Sequence, residues 1–165
     1  MKRIKAVALD MDGVLTDGSF VWGPNGEEFK RFSFRDVMGI SLARKSGILF
    51  ALISGEASPL VDRFARKMGI ADVHKGCPDK AAALEDFAAR HNLSLGEVCF
   101  VGDDVNDLAA FAIAGLAVAP GDAHPKAREA AHHVTQASGG RGAVRELLDR
   151  ILGRDCDVTS IKETG

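Results

Sequence analysis

Residues 6–18, AVALDMDGVLTDG, decide how this chain folds. An unbroken apolar run of strand length ends in three carboxylates, Asp10, Asp12 and Asp17, spaced by glycine and threonine. A strand without polar alternation is buried on both faces, which is the habit of parallel sheets. Carboxylates crowded at one strand end repel each other unless a cation joins them. The stretch therefore predicts an architecture and poses a charge problem together.

Working outward, three more runs look like buried strands: residues 47–55 (GILFALISG), 97–103 (EVCFVGD) and 115–120 (GLAVAP). Helical patterns lie between them. Leu60, Phe64 and Met68 stripe one face of residues 59–68, and Gly69 supplies a stop. Ala83, Phe87 and His91 continue such a stripe, after a proline in CPDKAAAL. Residues 143–152 form an amphipathic helix, and residues 154–165 read as a polar tail after a single domain of residues 1–153. Strands alternating with helices predict an α/β fold, a doubly wound, Rossmann-like parallel sheet. Ligands bind such sheets outside the carboxyl ends of the strands. That rule gathers Asp10, Asp12, Ser54, Gly55, Asp103, Asp104 and Asp107 on one edge.

One segment breaks the alternation. Residues 18–34 (GSFVWGPNGEEFKRFSF) read as a protruding β-hairpin turning at GPNG, with Phe20, Trp22, Phe29 and Phe32 alternating along it. A lone hairpin cannot bury that much aromatic surface. Either it lies on its own domain or it packs against copies of itself, and the second reading is favoured.

At the predicted edge, oxygen-only donors suit Mg²⁺, which binds one or two carboxylates together with phosphate. The ion offsets repulsion among the acids and between them and an incoming anion. Asp10 can then act as nucleophile and form an aspartyl-phosphate. Asp12 can protonate the leaving oxygen and later activate water. Ser54, Gly55 and Lys80 would hold the phosphoryl group. Singly, each residue has a plainer reading: Ser54 as a turn residue, Lys80 as a solvated lysine, Asp107 as a helix cap, the histidines as structural or surface groups. Their order and register together carry the argument.

In that order, DMDGVLTDG, LISG, PDK and VGDDVND resemble the four motifs of the haloacid dehalogenase-like phosphatase superfamily. NGEEFKRFSFRDVMGI, GDAHP and GGRGAVREL are similar to its capless branch, which acts on phosphorylated 2-keto-3-deoxy sugar acids. The resemblance implies Asp10 as nucleophile and Mg²⁺ ligand, Asp12 as acid/base and main-chain ligand, and Asp103 as the third ligand. Thr16, Asp104 and Asp107 are expected in support. It further implies a homotetramer in which hairpins associate and a neighbour closes each site. The spacing from Ser54 to Lys80 leaves no room for a separate cap domain.

For the substrate, Glu56 and Lys67 resemble the phosphatases of nine-carbon nonulosonate 9-phosphates, and the reading leans that way. The eight-carbon 3-deoxy-D-manno-octulosonate 8-phosphate is the alternative. Arg35, Asp36, Lys67 or a neighbour's Arg141 would meet the sugar acid, with Arg63 nearby. A receiver domain or a non-catalytic assembly module are rival classes. The first is disfavoured because Asp-x-Asp-Gly follows the first strand and the acidic pair Asp103–Asp104 comes late.

Composition bounds the rest. A net charge of −2 and no basic run argue against nucleic acid as partner. No segment is apolar enough for a membrane span or a secretory leader. Three cysteines without metal-type spacing, Cys77, Cys99 and Cys156, suit reduced thiols in a cytoplasm.

Overall fold

The computed structural model describes residues 3–153. In chain order, β1 (Ala6–Leu9) leads to a hairpin of β2 (Val21–Trp22) and β3 (Glu28–Phe29), then α1 (Phe34–Lys45) and β4 (Leu49–Ile53). Next come α2 (Pro59–Met68), β5 (Asp72–His74), α3 (Lys80–Arg90) and β6 (Val98–Val101). The order ends with α4 (Leu108–Ile113), β7 (Leu116–Ala119), α5 (Pro125–Ala130), β8 (His133–Val134) and α6 (Ala143–Ile151). Six strands make one parallel sheet in the order β5-β4-β1-β6-β7-β8. From β1 the chain builds β4 and β5 on one side, then crosses to build β6, β7 and β8 on the other. This is the expected doubly wound sheet, with its switch point beside β1.

The strands are buried on both faces, so polarity does not alternate along them, but in β1 side-chain size does. β1 reads Ala-Val-Ala-Leu. Val7, Leu9, Phe50 and Leu52 pack with Ile40 of α1, Phe64 of α2 and Leu147 and Leu148 of α6. Ala6, Ala8, Ala51, Ala117 and Ala119 face the other side, where Phe87 of α3, Phe111 of α4 and Ala127 of α5 cover them. Small strand residues leave room there for large helix residues. Phe87 is fully buried, a burial worth about 1.5–3 kcal/mol.

Helix α2 matches its sequence signals closely. Ser58 caps it by accepting the Leu60 N–H at 3.2 Å, Pro59 begins it, and Gly69 ends it in the left-handed region at φ 63°. Leu60 is half-buried, however, and Val61 and Ala65 join Phe64 and Met68 inside. Apolar periodicity does not mark α1, because the residues it buries are Asp36, Gly39, Ile40 and Ala43. Gly39 lets α6 lie close: a Cβ there would meet the Cα of Arg145 at 3.2 Å.

The hairpin forms at the expected place. Val21 pairs with Phe29 and Trp22 with Glu28, and the turn closes as the Gly26 N–H donates to the Gly23 carbonyl. Its apolar residues divide. Phe20, Val21, Trp22 and Phe29 are exposed, Trp22 at 73%. Phe32 instead stacks on Phe64 with ring centroids 4.5 Å apart, tying the hairpin's base to α2. Between Ser54 and Lys80 stand α2 and β5, with no inserted cap domain. The expected polar tail and Cys156 lie outside the described residues.

Candidate active site

Register places the site. Leu9 lies opposite both Leu52 and Val101, so Asp10, Ser54 and Asp103 emerge from adjacent strand ends. After β1 the Met11 carbonyl accepts from the N–H groups of Val14, Leu15 and Thr16, folding the chain sharply back. Gly13 sits in this turn at φ 83°, and a Cβ on it would strike the Asp103 carboxylate at 1.9 Å. A side chain is thus excluded where two carboxylate-bearing loops meet. Thr16 is buried and supports the turn: its Oγ1 accepts from Gly18 N–H at 3.2 Å and from Gly13 N–H at 3.4 Å. Gly139 and Gly140 of the GGRG stretch press onto the same turn, the Gly140 N–H donating to the Val14 carbonyl at 2.9 Å. A Cβ on Gly139 would lie 1.9 Å from the Gly13 carbonyl oxygen.

Asp10 is 5% exposed. Its Oδ1 accepts from Met11 N–H at 2.7 Å, and Oδ2 lies 2.9 Å from Lys80 Nζ. Lys80, at the start of α3, also donates to Asp107 Oδ1 at 2.6 Å. Asp107 Oδ2 takes the N–H groups of Asp103 and Asp104 at 2.8 and 3.2 Å. Asp107 therefore does not cap α4 with its side chain; it struts the loop that carries Asp103 and holds Lys80 in place. Asp104 turns that loop by accepting the Val105 N–H at 2.6 Å.

Two groups are pushed far from their ordinary ionisation. Burial raises the Asp103 carboxyl to about 8, with Asp10, Asp107 and Asp104 adding to the rise. Burial raises Asp10 to about 6 against the pull of Lys80. Burial also disfavours the Lys80 ammonium, but Asp10 and Asp107 outweigh it and leave its pKa above the usual lysine value. One lysine does not satisfy three acids. Asp10, Asp103 and Asp107 each bring a carboxylate oxygen within 4.8 Å of the others. Hard oxygen donors with excess negative charge are what Mg²⁺ selects, so the residues present fit that ion.

These groups border a cleft of about 220 Å³, lined by Asp10, Asp12, Gly18, Phe20, Gly55, Glu56, Lys80, Asp103, Asp104 and Asn106. The structure therefore brings together most residues singled out in the sequence, with exceptions. Ser54 does not line the cleft: it is 1% exposed, and its Oγ accepts the Glu56 N–H at 3.2 Å, shaping the loop that does. Asp36 is corrected outright. It is buried beneath the start of α6, accepting the Arg145 N–H at 2.8 Å and the Gly142 N–H at 3.3 Å, and so braces that helix rather than facing a ligand. Arg35 is exposed and away from the cleft wall. Lys67 and Arg63 line a separate hollow of about 410 Å³ between α2 and the hairpin. Arg141 is exposed near Asp17, whose carboxyl lies below its usual range, chiefly through the Ser19 N–H.

Sequence reasoning missed two side chains of the cleft and one partner. Asn106 and Phe20 both line the cleft. Lys30, on the hairpin, has a side chain 1% exposed and reaches Asp12 Oδ1 at 2.5 Å and Glu28 Oε1 at 3.3 Å. Burial disfavours its ammonium, yet Asp12 and Glu28 raise its pKa overall. Alternation sets Lys30 on the opposite side of the hairpin from Phe29 but does not name its partner. The histidines form no metal-binding group among the described residues; His132 Nδ1 accepts the Ala117 N–H at 2.8 Å.

Comparison with known proteins supports the same chemistry. Residues 49–147 match the haloacid dehalogenase-like hydrolase family. The 3-deoxy-D-manno-octulosonate 8-phosphate phosphatase of Escherichia coli K12 is 40% identical over 151 residues, covering 92% of this chain and 80% of that protein. The cobalt-bound phosphatase of the same type from Haemophilus influenzae superposes with a TM-score of 0.89 at 38% identity, over 92% of this chain and 89% of that one. The Moraxella catarrhalis phosphatase, solved with a magnesium ion, a phosphate ion and a KDO molecule, gives 0.89 at 34% identity, over 97% and 92%.

Proposed function

Because this chain belongs to the haloacid dehalogenase-like hydrolases, we propose that it removes phosphate from 3-deoxy-D-manno-octulosonate 8-phosphate with Mg²⁺ as cofactor. The observation that carries the reading is the cluster of Asp10 and Asp103 at adjacent strand ends with Lys80 at the start of α3, opening on a cleft lined mainly by polar residues. The nine-carbon lean rested on Glu56 with Lys67, and the two do not share a wall: Glu56 borders the cleft, Lys67 the separate hollow. The relatives named above act on the eight-carbon ester, so that alternative replaces it.

Asp10, Asp103 and the Asp12 carbonyl would hold Mg²⁺, which supplies charge neutralisation for the phosphoryl oxygens. Asp10 attacks phosphorus in line, its oxygen forming a bond as the ester P–O bond breaks. Asp12 gives a proton to the departing sugar hydroxyl and takes one from the water that later frees phosphate. Lys80, with the Ser54–Gly55 loop, positions the phosphoryl group, and Asp107 keeps Lys80 pointed at Asp10. Alkyl oxygen is a poor leaving group, so this proton transfer matters; such help is worth about 10²–10⁴-fold.

A homotetramer that buries the exposed hairpin aromatics and closes each cleft from a neighbour belongs to the same reading, supported by Phe20 lining the cleft while half of it faces solvent. Among the described residues no helix is long and apolar enough to cross a membrane. The test is phosphate release from eight- and nine-carbon keto-acid phosphates side by side. The expected result is Mg²⁺-dependent turnover with the higher kcat/KM on the octulosonate ester. Preference for the nine-carbon ester would overturn the substrate, and turnover of neither would overturn the phosphatase.

A further inference from the structure

The second strand of the hairpin sends a lysine back to the mouth of the site. Lys30 Nζ donates to Asp12 Oδ1 at 2.5 Å and lies 3.3 Å from Glu28 Oε1. Glu28 Oε2 accepts from Ser58 Oγ at 2.6 Å, and Ser58 caps α2. The Phe20 ring sits 5.3 Å from the ammonium. The two acids of the Asp-x-Asp pair thus have separate cations, Lys80 for Asp10 and Lys30 for Asp12. The other oxygen of Asp12, Oδ2, is buried and has no hydrogen-bond partner among the described residues. A carboxylate oxygen left bare costs free energy, so the arrangement is one that a ligand completes.

We propose that Lys30 is a positioning residue for Asp12: it pins Oδ1 and leaves Oδ2 as the oxygen that exchanges protons with the substrate. The inference rests on the phosphatase reading and deepens it. In the first step the ester P–O bond breaks, the Oδ2 proton moves to the leaving oxygen, and the Asp10 oxygen bonds to phosphorus. In the second, water bonds to phosphorus, its proton moves to Oδ2, and the Asp10–phosphorus bond breaks. Both transfers use one oxygen of one carboxylate, and an ammonium held at the opposite oxygen stops that carboxylate from turning. Through Glu28 and Ser58 the hairpin and α2 hold the ammonium in turn.

Two esters separate this from a merely structural role. The octulosonate ester leaves as an alkoxide and needs the proton; p-nitrophenolate leaves without one, so with p-nitrophenyl phosphate only the second step depends on Asp12. With the full chain and Mg²⁺, Lys30→Met is expected to lower kcat on the sugar ester about 10- to 100-fold, a part of the full acid–base contribution. KM should change little. On p-nitrophenyl phosphate the same variant should show a burst of phenolate followed by slow turnover, as phosphorylated Asp10 accumulates. Lys30→Arg should restore most of the sugar-ester rate. Glu28→Gln should give the same pattern at about 3- to 10-fold, and it reads the proposal even if Lys30→Met fails to fold.

The absence of a burst with p-nitrophenyl phosphate, or unchanged kinetics in a folded variant, would overturn the role of Lys30. The phosphatase reading fails separately, if the unaltered chain hydrolyses neither ester. If Asp12→Asn shows the dependence on leaving group and the Lys30 and Glu28 variants do not, the reading stands and the positioning role falls.

Discussion

The carboxyl edge of the sheet and the hairpin beside it invert ordinary burial in opposite directions. At the edge, Asp10, Lys80 and Asp107 are buried, locked to one another by ion pairs and backbone hydrogen bonds. On the hairpin, Phe20, Trp22 and Phe29 are exposed over half or more of their surface. Buried charge is costly unless paired, and exposed aromatic surface is unusual in a chain that acts alone. The edge lacks positive charge and the hairpin lacks a cover. Mg²⁺ answers the first deficit; on the proposed reading a neighbouring copy would answer the second. Lys30 and Phe20 join the two, because both belong to the hairpin and both reach the site.

The comparison breaks most decisively at the proposed nucleophile. Asp10→Asn should lower kcat by about 10⁴-fold or more while circular dichroism shows the fold intact; substantial residual turnover would remove the covalent route. Lys80→Met leaves Asp10 and Asp107 buried without their cation. Denaturant titration should show a loss of about 3–5 kcal/mol, together with loss of activity.

Metal removal sharpens the charge argument. A chelator should abolish turnover, and Mg²⁺ should restore it. Since Asp103 and Asp10 titrate near 8 and 6 in the metal-free chain, protons compete with the ion. Apparent Mg²⁺ affinity should therefore fall as pH drops from 8 to 6, by about tenfold per unit while one proton competes. Stability has the matching sign. Folded carboxyls with raised pKa bind protons that the unfolded chain has released, so the metal-free protein loses stability as pH rises through this window. Added Mg²⁺ should flatten that slope in thermal melts.

The smallest effect on the single chain belongs to the hairpin. Exchanging Phe20, Trp22 and Phe29 for serine should convert the proposed tetramer to monomers in analytical ultracentrifugation. Each exposed exchange should cost the fold itself only about 0.5 kcal/mol. An unchanged sedimentation coefficient would separate the exposed aromatics from assembly.

The central strands, α2 and the acids after β1 and β6 were legible because each is a local signal: an apolar run, a cap, a carboxylate at a strand end. Helix α1 was not, because tertiary contacts with α6 bury Asp36 and Gly39, residues that sequence patterns place outside. The role of Asp107 was hidden for the same reason. A residue that reads as a helix cap proves to hold Lys80, 27 positions earlier. Lys30 was hidden by distance, since nothing local says that a hairpin lysine turns back 18 residues to an acid.

The clasp of Gly139 and Gly140 on the turn after β1 bears on how the molecule comes to life. The turn that carries Asp10 and Asp12 gains its backing only when a segment about 125 residues further along the chain docks on it. Contacts so remote in sequence form late. The cleft is therefore expected to take its final shape only after that docking, late in folding.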